Sequence, residues 1–262
     1  MNLLKLLKYE LKGNVRLMAL FASILAIWEI FLMTRIGVWK DGMAFMLSTI
    51  TFIGVGFLVL IYGVGVFRKE LNDDTGYLLY SLPVSGYDIT GAKLLMATVI
   101  YVVYTLLAGL FSWAIFLLTL NDDRFKRSVS MVIPGNILND ALIKNSGIIM
   151  YTYISVLLFM IGLWLLSYLS TILSRVFFYK KRFGGLMALG IFIAIAWLIG
   201  RLYYVVIAVF PWTYNLTMAY EHAMWGFRFD VPINIAGDIF SVLILVLLYV
   251  ITSHMVHRRL EL

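Results

Sequence analysis

Six long apolar stretches, separated by polar connections, are the feature that most limits how this chain can fold. A helix needs about 20 such residues to cross the roughly 30 Å hydrocarbon core of a bilayer. Backbone groups in lipid must be hydrogen-bonded within the protein, so runs of this length predict helices rather than the short alternating strands of a barrel. The apolar fraction of 63% agrees, since soluble domains average about 45 to 50%. The predicted fold class is an all-α membrane protein with six transmembrane helices.

The predicted spans belong to a single transmembrane domain, residues 1–262. They lie near residues 17–36, 42–67, 94–120, 147–174, 184–210 and 234–256. Residues 1–13 precede the first span, and Lys5, Lys8 and Lys12 are interleaved there with leucines. This pattern predicts an amphipathic helix that lies on the membrane surface.

The basic residues predict the orientation of the chain. With six spans, thirteen of the 21 lysines and arginines fall on the side that also holds both termini. After the acidic residues are subtracted, the whole net charge of +7 lies on that side. The positive-inside rule therefore predicts cytoplasmic N and C termini. Anionic membrane lipid accounts for the net positive charge, and no nucleic acid partner is needed to explain it.

The predicted cytoplasmic loop 68–93 combines a helix-start signal with a dense apolar cluster. Thr75 and the aspartates before it favour a helix start, and Pro83 ends the segment about two turns later. The residues that form this short helix and its ends are Thr75, Gly76, Tyr77, Leu78, Leu79, Tyr80, Leu82 and Pro83. Such a cluster either folds back against the membrane helices or docks into a groove of a partner, and the residues alone leave both alternatives open.

The glycines of the same loop are not spaced for a nucleotide site. Gly86, Gly91 and Lys93 come near the pattern of a phosphate loop, but that loop requires Gly-Lys-Ser/Thr in direct succession. No other stretch fits the pattern better, and no hydrolase motif is present. The chain itself is therefore predicted not to be an enzyme.

From Asp74 to Lys93 the sequence reads DTGYLLYSLPVSGYDITGAK, and its most diagnostic part is SLPVS, Ser81 to Ser85. Together with six spans and an N-terminal surface helix, this stretch resembles the ABC-type permeases of the type-two exporter superfamily, which includes small bacterial permeases. The resemblance implies that Thr75–Pro83 is a coupling helix that docks into a cleft of a separate ATPase subunit.

The same resemblance implies the partners and cofactors. The permease would pair with a second copy or a related permease chain, and ATP and magnesium would be bound by the ATPase subunit, with no cofactor in this chain. ATP hydrolysis by the partner would then drive export of an amphipathic or hydrophobic compound, such as a peptide, an antibiotic or a lipid-like molecule. A bacterial plasma membrane is the implied location.

Among the charged residues of the predicted spans, three lie at least one turn from a span end, in the outer half of the membrane: Glu29, Arg201 and Asp238. Charge in this position is costly, so each of these side chains should contact protein, water or an ion. One interpretation is a structural ion pair of Arg201 with Glu29 or Asp238. The alternative is a functional one, in which the three residues form the proton relay of a proton-coupled secondary transporter.

Overall fold

The computed structural model describes residues 3–40, 42–72, 85–121, 146–177, 184–220 and 227–260. Six helices and a two-stranded antiparallel hairpin make up these residues. In chain order the elements are α1 Leu3–Met33, α2 Met43–Asn72, α3 Gly86–Asn121, α4 Ser146–Phe177, α5 Gly184–Val209, β1 Thr213–Tyr220, β2 Phe227–Asn234 and α6 Ile235–Leu260.

All six helices contain a stretch that is long and apolar enough to cross a membrane. The sequence prediction of six transmembrane helices is confirmed at this level, and the architecture is that of a multi-pass membrane protein. Helix α3 has 36 residues, so at 1.5 Å per residue it is about 54 Å long. It must therefore extend well beyond a hydrocarbon core of roughly 30 Å.

Three boundaries differ from the sequence prediction. Helix α1 is continuous from Leu3 to Met33, with no break between the predicted surface segment 1–13 and the first span. Helix α2 continues to Asn72 and α3 already begins at Gly86, so only residues 73–85 of the predicted loop 68–93 connect them. The connection is shorter because Arg68, Lys69 and Glu70 are good helix formers that continue α2 beyond its apolar stretch.

The hairpin is an exception to the predicted all-α class. Thr213 pairs with Asn234 and Tyr220 with Phe227, in continuous antiparallel register. Both strands alternate polar and apolar residues, as TYNLTMAY and FRFDVPIN, which is the period of a strand with two different faces. The hairpin joins α5 to α6.

The helices divide into two compact units. The N-terminal unit comprises residues 7–62 and 95–143, and the C-terminal unit comprises residues 1–6, 63–94 and 144–262. Within the N-terminal unit, Leu32, Ala44 and Ile115 form a buried cluster contributed by α1, α2 and α3.

The C-terminal unit has its own core. Helix α4 packs against both α5 and α6, and α5 also packs against α6. Leu165 and Leu169 of α4 meet Leu248 of α6 at the centre of this packing. These three leucines are buried, whereas no residue of α5 is buried within the described part of the chain.

Candidate functional site

The predicted coupling segment, Thr75–Pro83, lies outside the described residues. The helices on either side of it are described, and both belong to the C-terminal unit over residues 63–94. The contacts of these two helix ends determine which transmembrane helices are linked to the segment.

The last turns of α2 are attached to α4 by aromatic packing. The rings of Phe67 and Tyr168 stack with centroids 3.9 Å apart and planes inclined by 19°. The Tyr168 hydroxyl also donates a hydrogen bond of 3.3 Å to the backbone oxygen of Gly63. Both rings are buried, so this contact combines apolar burial with a satisfied hydroxyl.

The first turn of α3 is capped by Ser85. The amide of Asp88 donates to the Ser85 hydroxyl oxygen at 3.1 Å, and that hydroxyl donates to a carboxylate oxygen of Asp88 at 2.8 Å. The Ser85 hydroxyl thus accepts a hydrogen bond from one backbone amide of the helix N-terminus. Helix α3 therefore has a well-defined start directly after the predicted coupling segment.

This first turn also lies directly against α6. A Cβ atom placed on Gly86 would lie 2.6 Å from the backbone nitrogen of His257 and 2.7 Å from the backbone oxygen of Ser253. Only glycine permits two helix backbones to approach so closely. One residue later, the Tyr249 hydroxyl of α6 donates a 2.9 Å hydrogen bond to the backbone oxygen of Tyr87.

The glycine and lysine pattern at the start of α3 serves helix packing. Gly86, Gly91 and Lys93 all lie within α3, and a Cβ on Gly91 would lie 3.0 Å from the Tyr249 hydroxyl. The Lys93 side chain is buried. A phosphate loop instead presents its backbone amides from a non-helical turn that precedes the helix.

Glu29 is the central residue of a second constellation, in the N-terminal unit. Its side chain is fully buried in α1, with an exposed fraction of 0%. The Ser48 hydroxyl of α2 donates to Glu29 Oε2 at 2.7 Å, and the hydroxyls of Ser48 and Ser112, the latter in α3, are 2.8 Å apart. Glu29 Oε1 is buried and has no hydrogen-bond partner among the residues that the structure describes. The Glu29 carboxyl group is therefore linked by hydrogen bonds to α2 and α3, and its Oε1 atom remains without a hydrogen bond among the described residues.

Apolar residues cover this hydrogen-bonded chain on the side of the turn between α1 and α2. Leu32, Ala44 and Ile115 lie about one helical turn from Glu29, Ser48 and Ser112 respectively, and they form the buried cluster of the N-terminal unit. Residues three or four positions apart share a helix face, so this cluster lies as a layer beside the carboxyl.

Ring packing covers the other side. A Cβ on Gly109 would lie 3.6 Å from the Phe52 ring, and these residues lie about one turn from Ser112 and Ser48. On α1, Leu25 is buried one turn before Glu29. The carboxyl group is thus enclosed between two apolar layers.

In the C-terminal unit, Asp238 and Arg201 contact different residues and not each other. Asp238 lies in the first turn of α6, where the Tyr151 hydroxyl donates to its Oδ2 at 2.9 Å. A carboxylate is favoured there by the helix dipole. The guanidinium of Arg201 lies 5.3 Å from the centroid of the Trp197 ring, in a cation-π contact. The expected structural pair between Arg201 and Asp238 is therefore not formed.

We expect Glu29→Gln to be milder than Glu29→Leu, because the amide retains an oxygen that can accept from Ser48. Leucine removes this acceptor and should lower the free energy of unfolding by on the order of 1 kcal/mol relative to glutamine. Thermal unfolding of the detergent-solubilised variants measures the difference. Adding Ser48→Ala to Glu29→Leu serves as the control, since removal of both partners should recover part of the loss. Equal stability of the two single variants would contradict the role of this hydrogen bond.

Comparisons of the chain with protein-family models, with curated proteins and with solved structures give no match.

Proposed function

We propose that the chain is the membrane-spanning permease subunit of an ATP-driven ABC exporter. In this proposal it moves an amphipathic or hydrophobic compound, such as a peptide, an antibiotic or a lipid-like molecule, out of a bacterial cell. A separate ATPase subunit hydrolyses ATP with magnesium, and a second permease copy or a related chain completes the membrane part. Both termini and the loop 68–93 are then on the cytoplasmic side, where the basic residues at the start of α1 meet the lipid headgroups.

The observation that carries this proposal is the attachment of both helices that flank Thr75–Pro83. Before the segment, the Phe67–Tyr168 stack ties α2 to α4. After the segment, the close approach of Gly86 to His257 ties α3 to α6. A displacement of the segment by an ATPase subunit would therefore act on α4 and α6 through packed, hydrogen-bonded contacts. Transmission through packed elements of this kind is what a coupling segment requires.

The buried carboxyl favours a second candidate function, a proton-coupled secondary transporter. A buried acid with an open oxygen is a common component of proton pathways in membranes. The proposed relay also includes Arg201 and Asp238, and these two residues contact Trp197 and Tyr151 rather than each other. We therefore keep the ATP-driven exporter as the main proposal.

The two functions can be distinguished by the energy source of transport, which is ATP in the first and a proton gradient in the second. The tagged chain should co-purify from its native membrane with an ATPase subunit, and magnesium-dependent ATP hydrolysis should be present in the complex and absent from the isolated permease. As the control, the phosphate-loop lysine of the partner should be essential for hydrolysis. Purification without an ATPase subunit, combined with proton flux through vesicles that contain the permease alone, would instead establish the proton-coupled function.

A further inference from the structure

We propose that Glu29 is a proton-binding site inside the bilayer and that its side chain is a neutral carboxylic acid in the folded protein. The open Oε1 atom carries the proton, and Oε2 accepts the hydrogen bond from Ser48. This inference goes beyond the proposed transport function and does not depend on what drives transport.

The first support is the lack of a charged partner. Residues 17–33, 43–62 and 95–121 of the three surrounding helices contain no other Asp, Glu, Lys, Arg or His. On α1 the nearest earlier charge is Arg16, about 20 Å along the helix at 1.5 Å per residue. Arg35, in the turn after α1, has its guanidinium carbon 4.8 Å from the centroid of the Phe31 ring. Among the described residues of these three helices, an ionised Glu29 would therefore be a buried charge without compensation, which proteins avoid by neutralising the group.

The second support is the donor set, which suits a proton better than a metal cation. Hard cations take six or more oxygen ligands, whereas the constellation supplies the two oxygens of Glu29 and the hydroxyl oxygens of Ser48 and Ser112. The Ser48 hydroxyl already directs its hydrogen at Glu29 Oε2. A proton on Oε1 needs no coordination shell, so the carboxyl becomes neutral without any further group.

The third support is the enclosure of the site. The apolar layer of Leu32, Ala44 and Ile115 covers one side, and Phe52 packs over Gly109 on the other. Exchange of the proton with water therefore requires that α1 separates from α2 and α3 at this depth. Proton exchange at Glu29 would then report an opening of the N-terminal unit.

The test is infrared spectroscopy of the full-length protein in detergent or lipid at mildly alkaline pH, where solvent-exposed carboxyl groups are ionised. We expect the wild-type protein to show the carbonyl stretching band of a carboxylic acid and the Glu29→Gln variant to lack it. Asp238→Asn, the matched control at the other intramembrane acid, should retain the band. Ser48→Ala should retain it at a higher frequency, because the hydrogen bond to Oε2 is lost.

Absence of the acid band from the wild-type protein would overturn the proposal, as would its persistence in Glu29→Gln. A wild-type protein that lacks the band and is stabilised by sodium or potassium would identify a bound cation instead. If Glu29→Gln does not yield folded protein, the Ser48→Ala spectrum decides: an unshifted band does not originate from Glu29, and the proposal fails.

Discussion

If the chain is the proposed permease, the double substitution Leu79→Asp with Leu82→Asp is expected to leave it folded and inserted but unable to retain the proposed ATPase partner or to support transport. Burial of each leucine in a partner groove contributes about 1.5 to 3 kcal/mol, and a buried unpaired carboxylate adds a further penalty. Because every 1.4 kcal/mol is a factor of about ten, the affinity should fall by more than several tens of fold. Pull-down of the ATPase subunit measures this loss.

The same double variant distinguishes a docking segment from one that packs on its own membrane helices. In the second case the pull-down would be normal and the melting temperature of the solubilised permease would drop. Leu79→Met with Leu82→Met is the matched control, because methionine keeps the apolar volume and should retain the partner. Normal partner retention together with a large loss of thermal stability would rule out the coupling assignment.

The six helices could be predicted because hydropathy over a long window is a strong signal, and the structure contains all six. The long window also explains why the hairpin of Thr213–Tyr220 and Phe227–Asn234 was missed. A window of 20 residues averages out an alternation with a period of two. A shorter window would detect it, as both strands alternate polar and apolar side chains. The choice of window therefore determines which elements can be found.

The site was only partly predictable. Glu29 stands out as the only acidic residue in its predicted span, whereas Ser48 and Ser112 do not stand out, since a serine in a membrane helix can bond to its own preceding turn. A signal was available in their depth, because Glu29, Ser48 and Ser112 all lie within three turns of helix ends on the same side of the membrane. Counting the residues between each side chain and the nearest helix end could have shown that Glu29, Ser48 and Ser112 lie at a similar depth.

The contacts of Arg201 and Asp238 could not be derived from charge alone. Opposite charges in neighbouring spans suggest a pair, but the partners are an indole ring and a tyrosine hydroxyl. Aromatic partners are hard to predict because Trp and Tyr are common at membrane borders for other reasons. Helix rotation decides which of these groups meet, and rotation follows from packing that the sequence pattern does not specify.

Gly86→Val is expected to destabilise the C-terminal unit strongly. The valine Cβ would lie 2.6 Å from the His257 nitrogen and 2.9 Å from its Cα, and these are backbone atoms of α6 that cannot rotate away. Helix α3 would have to move outward, which would also stretch the hydrogen bond between Tyr249 and Tyr87. We expect a loss of about 3 kcal/mol in the free energy of unfolding, at the upper end of the range for overpacking.

The matched control is Gly190→Val in α5, where a Cβ would meet no atom within 4 Å. Valine and glycine have similar helix propensities, with a difference of only a few tenths of a kcal/mol, so this control should leave stability nearly unchanged. Thermal unfolding of both variants in detergent measures the contrast, and ATP hydrolysis by the complex adds a functional readout. If the α3–α6 contact transmits the motion of the segment before it, Gly86→Val should also uncouple hydrolysis from transport in whatever folded fraction remains. Equal melting temperatures for the two variants would mean that α3 and α6 do not approach as closely as the Gly86 contact requires.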